Sequence, residues 1–172
     1  IGFGSTVNGA HALTANTGGS TSFGGVVGGT TALTSLTTNT GGSTTLGGNV
    51  STSGAQAYND AVSLGADVTL ATANGAVSFG STVDNATATK RALAVNAGTG
   101  AVTFTGALGN GANGALASLG THSGTFNANA LNIGNGGLAV TTTAGGIAQG
   151  GAFTVTGASS FNAGSGAITL TN

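Results

Sequence analysis

The sequence predicts an all-β chain wound as a parallel β-helix. It would be a β-solenoid of about 7–8 coils, each of roughly 20–25 residues, with no helical domain. Three observations predict this: internal repeats, a two-residue period within them, and a composition suited to stacked β-ladders. Gly contributes 35 of 172 residues, charged residues only 3%, and Pro and Cys are absent. Pro would remove a ladder donor from nearly every coil, and Gly supplies corners where φ is positive.

Taken in chain order, the elements follow from recurring phrases. Phe3-Gly-Ser-Thr-Val7 returns unchanged as Phe79-Gly-Ser-Thr-Val83, and Gly18-Gly-Ser-Thr-Ser-Phe23-Gly-Gly25 returns as Gly41-Gly-Ser-Thr-Thr-Leu46-Gly-Gly48. The second pair is offset by 23 residues, which sets the unit length. Residues 46–77 are long for one unit, so a longer loop or extra half-coil is expected there, with Gln56 to Asp60 as the bulge. Val68-Thr69-Leu70, Val77-Ser78-Phe79, Leu93-Ala94-Val95 and Val102-Thr103-Phe104 alternate large and small side chains. That alternation marks short strands with large apolar side chains on one face and Thr, Ser or Ala on the other. Asn96-Ala-Gly-Thr-Gly-Ala-Val-Thr-Phe104 recurs as Asn162-Ala-Gly-Ser-Gly-Ala-Ile-Thr-Leu170. Between them, a break in parity at Ala130-Leu131 predicts a corner. Phe153-Thr154-Val155-Thr156 and Ile168-Thr169-Leu170 supply the last strands. One coil cannot bury these apolar residues alone, whereas stacked coils can.

The composition excludes several function classes. No Cys means no disulfide framework and no thiolate chemistry. Two Lys+Arg against three Asp+Glu leave nothing to neutralise a phosphate backbone, so no nucleic-acid partner is expected. No apolar run approaches the ~18 residues of a membrane span. Mean hydropathy of +0.32 at a net charge of −1 argues against disorder.

The phrases Phe23-Gly-Gly-Val-Val-Gly-Gly-Thr-Thr-Ala-Leu-Thr-Ser-Leu36, Gly54 to Leu70 and Asn96 to Phe104 resemble repeat regions of large bacterial exoproteins. These are the filamentous-haemagglutinin-like and autotransporter-like adhesins. The resemblance runs over essentially the whole chain. It implies a right-handed parallel β-helix, a secreted or cell-surface location, and a repeat that is mostly shaft. Both ends stop inside the repeat pattern, and Ile168-Thr169-Leu170-Thr171-Asn172 closes in a strand phrase. The expectation is one continuous solenoid segment over residues 1–172, stacked head to tail on further chain or on another copy. Head-to-tail contacts that do not close generate filaments.

Chemistry-bearing residues are few. Tyr58, the sole Tyr, and Asp60 fall in the expected loop and are candidate surface contacts. Lys90-Arg91, the sole basic pair, is another candidate, placed by the repeat offset beside Asp67. Asp60 and Asp84 lie 24 residues apart, a spacing that places paired carboxylates on adjacent coils for acid/base work on a carbohydrate. His11 and His122 lack partners at metal-ligand spacing. Thr-x-Thr pairs such as Thr38/Thr40 and Thr103/Thr105 raise an ice-binding face, but they recur too irregularly for a flat array. No catalytic, metal or cofactor residue is expected, and no enzyme. The leading expectation is an extracellular structural shaft or filament subunit. The alternative is an adhesin passenger holding glycan or a cell surface through a lateral face.

Overall fold

The computed structural model describes residues 1–171. Asn172, the last residue of the expected closing strand, lies outside the described residues. The chain forms a parallel β-solenoid with three faces per coil, and among the described residues there is no helix. No helix is therefore long and apolar enough to cross a membrane.

The first face holds β1 (Gly2–Phe3), β3 (Ser20–Phe23), β5 (Ser43–Leu46), β8 (Ala61–Leu64) and β11 (Val83–Asn85). Bridges from Val83 through Leu108 to Leu131 carry it on to β16 (Leu131–Ile133) and β19 (Phe153–Val155). On the second face, bridges from Val7 through Val27 to Val50 lead into β6 (Val50–Thr52), β9 (Val68–Thr72) and β12 (Ala92–Asn96). β14 (Ser118–Ser123), β17 (Leu138–Thr142) and β20 (Ser159–Asn162) follow. The third face is an 8-stranded sheet: β2 (Ala12–Ala15), β4 (Ser35–Thr38), β7 (Gln56–Tyr58), β10 (Val77–Phe79), β13 (Ala101–Phe104), β15 (Thr125–Ala128), β18 (Ile147–Gln149) and β21 (Ile168–Leu170). Each strand pairs in parallel with its equivalents one coil before and after. The corner expected at Ala130-Leu131 separates β15 from β16.

Register shows how elastic the unit is. Thr44 pairs with Val62, a step of 18 residues, whereas Leu93 pairs with Leu119, a step of 26. The expected longer loop within residues 46–77 is therefore corrected. Those coils are short, and Gln56–Tyr58 is strand β7, in register with Val77–Phe79. The long coils come later, where residues 86–91 are inserted at the corner between the first and second faces and residues 109–115 within the first face.

The core is a stack of like residues. Tyr58, Phe79 and Phe104 lie ring on ring, with centroids 5.2 and 4.6 Å apart, and Phe126 tilts onto Phe104 at 6.0 Å. Phe3 and Phe23 stack in the same way on the first face at 4.9 Å. Such pairs contribute about 0.5–1.5 kcal/mol each beyond the area they bury. The interior is not purely apolar, which corrects the expectation that hydroxyls line the outside. Thr21, Thr38, Thr44, Thr121 and Thr142 all point inward and are buried. The hydroxyls of Thr21, Thr38 and Thr121 make no hydrogen bond there.

Two excursions share one design. Val27 bridges Val50 and Leu33 bridges Thr52, while residues 28–32 leave the face between them. Leu108 bridges Leu131 and Leu116 bridges Ile133, while residues 109–115 leave. Each departure begins at a left-handed glycine, Gly28 (φ 72°) and Gly109 (φ 66°). A Cβ on Gly28 would run into the Ser51 carbonyl oxygen, and one on Gly109 into that of Asn132. Glycine is required at both positions on two counts, dihedral and contact.

Candidate functional site

The sequence-based candidates separate into an interior group and a surface group. Tyr58 is 0% exposed, which overturns its place as a surface contact. Its register explains why: Gln56 and Tyr58 occupy the inward positions held by Val77 and Phe79 one coil on. The Tyr58 hydroxyl donates to Gln56 Oε1 at 3.0 Å. Gln56 Nε2 in turn donates to the Ala71 carbonyl at 2.9 Å and to Thr52 Oγ1 at 3.2 Å. The Thr52 hydroxyl donates to the Gly54 carbonyl at 2.6 Å. A buried polar chain thus ends on backbone carbonyls, as the cost of an unpaired buried amide demands. Burial pushes the Tyr58 phenol above its ordinary range, because the phenolate would lose its water.

Asp60 is 2% exposed and is likewise corrected from surface contact to interior tie. Its Oδ1 accepts the Gly42 N–H at 2.8 Å, and its Oδ2 lies 3.5 Å from the Thr44 hydroxyl. Asp84 is in register with Ser63 on the coil that follows Asp60. Its Oδ1 accepts the Gly111 N–H at 2.7 Å. The two carboxylates therefore bind backbone of different coils in opposite directions along the stack. Asp67 does the same, with Oδ1 accepting the Ala92 N–H at 3.0 Å.

Lys90 and Arg91 lie in the inserted segment 86–91. Lys90 is exposed and Arg91 half-buried. The repeat offset placed Arg91 beside Asp67, and the Asp67 bond to Ala92 is consistent with that register. The Lys90 ammonium donates to the Asn113 carbonyl of the next insert. The Arg91 carbonyl accepts the Ala117 N–H at 2.8 Å, while the Arg91 Nε is buried without a hydrogen-bond partner.

Asn85, absent from the sequence-based candidates, locks these two inserts together. It is 2% exposed. Its Nδ2 donates to the Gly114 and Ala115 carbonyls at 2.9 and 3.0 Å, and its Oδ1 accepts the Arg91 N–H at 2.8 Å. Asn113 Nδ2 returns a bond to the Asn85 carbonyl at 2.7 Å. An Asn at an inward strand position, where Leu64 sits one coil earlier, was the available signal. Below the inserts lies a depression of about 350 Å³ lined by Lys90, Ala115, Ala117, Asn135 and Thr156 with two glycines.

His11 and His122 are both exposed and lie on different coils, His11 just before β2 and His122 in β14. His122 borders a second depression, on the outside of the second face, floored by Ala94, Gly120 and Ala139. Among the described residues no group of three or more His, Asp or Glu is placed to hold a metal ion. The outward column of the third face begins Thr14, Thr37 and continues Ala57, Ser78, so hydroxyls form no unbroken Thr plane.

Residues 114–172, which carry β14 to β21, match the model of a family described as "Repeats of unknown function (DUF5649)". No curated protein and no solved structure matches the chain.

Proposed function

We propose that this chain is an extracellular structural protein, a β-solenoid shaft or filament segment without catalytic activity. One observation carries the reading. The three carboxylates and several Asn side chains are spent on bonds between coils instead of gathering at a site. Asp60, Asp67 and Asp84 each accept a backbone N–H of a neighbouring coil. Asn39, Asn49 and Asn74 do the same for Thr17, Thr69 and Thr99, at 2.8, 2.8 and 3.0 Å. Asn59 and Asn132 donate to carbonyls of the coil before. Each tie reinforces the ladder beside it, and ladder, aromatic stack and side-chain ties all run along one axis.

The near absence of charge supports the same role. Equivalent positions recur every ~4.8 Å along a solenoid, so a charge repeated in the unit would face its own copy. Copies or further coils would add to the stack through the same parallel pairing. Ile1, Ile168 and Leu170, on the first and last coils described, are 51%, 48% and 43% exposed and would be covered by it.

Electron microscopy of the purified chain, with sedimentation velocity across a concentration series, tests the reading. Straight rods that lengthen with concentration are expected. Particles that stay one solenoid long at every concentration would remove the self-stacking form of the proposal. Surface labelling of intact source cells tests the location, and label confined to permeabilised cells would overturn it.

A further inference from the structure

The geometry points to an acidic-polysaccharide site on the ledge below Lys90, independent of the shaft role. The ledge arises from unequal coil lengths along the first face and its corner with the second. Residues 86–91 and 109–115 project from two successive coils, whereas the next two turns, residues 134–137 and 156–158, are short. Where the wall steps back, Lys90, Ala115, Ala117, Gly134, Asn135, Gly136 and Thr156 line the depression. Their corner spans four successive coils, roughly 14 Å at the spacing of stacked strands. That length suits a run of linked sugar rings better than a single small anion.

The wall is built, and is not a slack loop. Asn85 and Asn113 cross-bond the two inserts, and Asp84 accepts the Gly111 N–H. The Gly136 N–H donates to the Ala117 carbonyl at 3.0 Å, which draws the short turn against the ledge. Bracing of this kind holds Lys90 in place before any ligand arrives, which lowers the ordering cost of binding.

The chemistry around the depression matches a uronate chain. Lys90 carries one of only two cationic side chains in the sequence. One of its three N–H groups goes to the Asn113 carbonyl, which leaves two for a carboxylate. The Asp67 and Asp84 carboxylates next to this insert are each held by a backbone N–H. Small, flat surface from Ala115, Ala117 and the two glycines accommodates the apolar face of a sugar ring. The exposed Asn135 amide and the Thr156 hydroxyl, which donates to the Ile133 carbonyl at 3.3 Å, offer partners for sugar hydroxyls.

The test is fluorescence polarisation of the whole chain with labelled oligogalacturonate, a neutral galacto-oligosaccharide of equal length, and inorganic phosphate as competitor. Oligogalacturonate is expected to bind and the neutral oligomer not to bind. Lys90→Gln should weaken binding about tenfold, the size of one lost charge-assisted bond, and Lys90→Arg should retain it. Asn135→Ala, a second exposed change, should weaken it in the same direction. Circular dichroism and melting of each variant should match the parent. Absence of oligogalacturonate binding, or equal binding by Lys90→Gln, overturns the proposal. Displacement by phosphate at equal charge concentration also overturns it, by reducing the ledge to a small-anion site. Rod formation is read separately by microscopy, so failure here leaves the shaft reading standing.

Discussion

Tyr58-Asn59-Asp60 and Lys90-Arg91 look alike in the sequence: each is a polar island in a Gly/Ala/Thr background. The solenoid treats them in opposite ways. The first lies on a short coil, with Tyr58 and Asp60 turned inside and every polar atom discussed above given a partner. The second lies on an insert, where Lys90 stands at the edge of a ledge and Arg91 is half-buried. The difference teaches that residue type does not mark an insertion in a repeat protein. Register does. Gln56-Ala57-Tyr58 keeps step with Val77-Ser78-Phe79. Residues 86–91, by contrast, separate β11 from β12 by more than any neighbouring corner before them.

The largest effect expected is at the interior island. Tyr58→Ala should cost about 3–5 kcal/mol, read from guanidinium unfolding, because it opens a cavity in the aromatic stack and orphans Gln56. A cost below 1 kcal/mol would place Tyr58 outside the core and collapse the contrast. Next come the roots of the excursions. Gly28→Ala and Gly109→Ala should each cost about 2 kcal/mol or more, since the added Cβ is strained by φ and by a facing carbonyl. Similar losses would establish the two excursions as one device, and a neutral Gly28→Ala would separate them.

A smaller loss of about 1–3 kcal/mol is expected for Asp60→Ala, which strands the half-buried Gly42 N–H. Alkaline pH probes the same island. The folded chain holds the Tyr58 proton above the ordinary phenol range, so the unfolded chain ionises first. Stability is then fully present below pH ~10 and falls as pH rises beyond it. A denaturation series in Tyr58→Phe should lose that alkaline slope, and a slope unchanged in the variant would assign it elsewhere. Smallest of all is Lys90→Gln, expected within about 0.5 kcal/mol of the parent by the same unfolding measurement. A large loss there would mean that the ledge depends on its cation for folding.

Much of the fold was legible in the sequence because its signals are local. Period-two phrases such as Val77-Ser78-Phe79 and Val102-Thr103-Phe104 state which side chains go in, and recurrence states that strands stack on their own copies. Gly28 and Gly109 likewise sit in similar phrases that end Ala-Leu-Thr-Ser-Leu36 and Ala-Leu-Ala-Ser-Leu119. Even so, the first excursion falls on the second face and the later one on the first face, since the face depends on how many strands precede it.

The candidate sites were much less legible. Inward Gln56, Thr44 and Asn85 break the apolar alternation that marks a strand, so they read as loop. They are held by partners that other coils bring to them: Ala71 for Gln56, Asp60 for Thr44, and Gly114 and Ala115 for Asn85. The sequence by itself determined the solenoid, its neutral surface and the scarcity of chemistry. Only the tertiary structure decided which polar residues are interior ties and which stand on a ledge. The physical reason is that these buried polar groups take hydrogen-bond partners 15 to 30 residues away, on other coils. Those distances vary with every inserted residue, so no fixed spacing in the sequence records them.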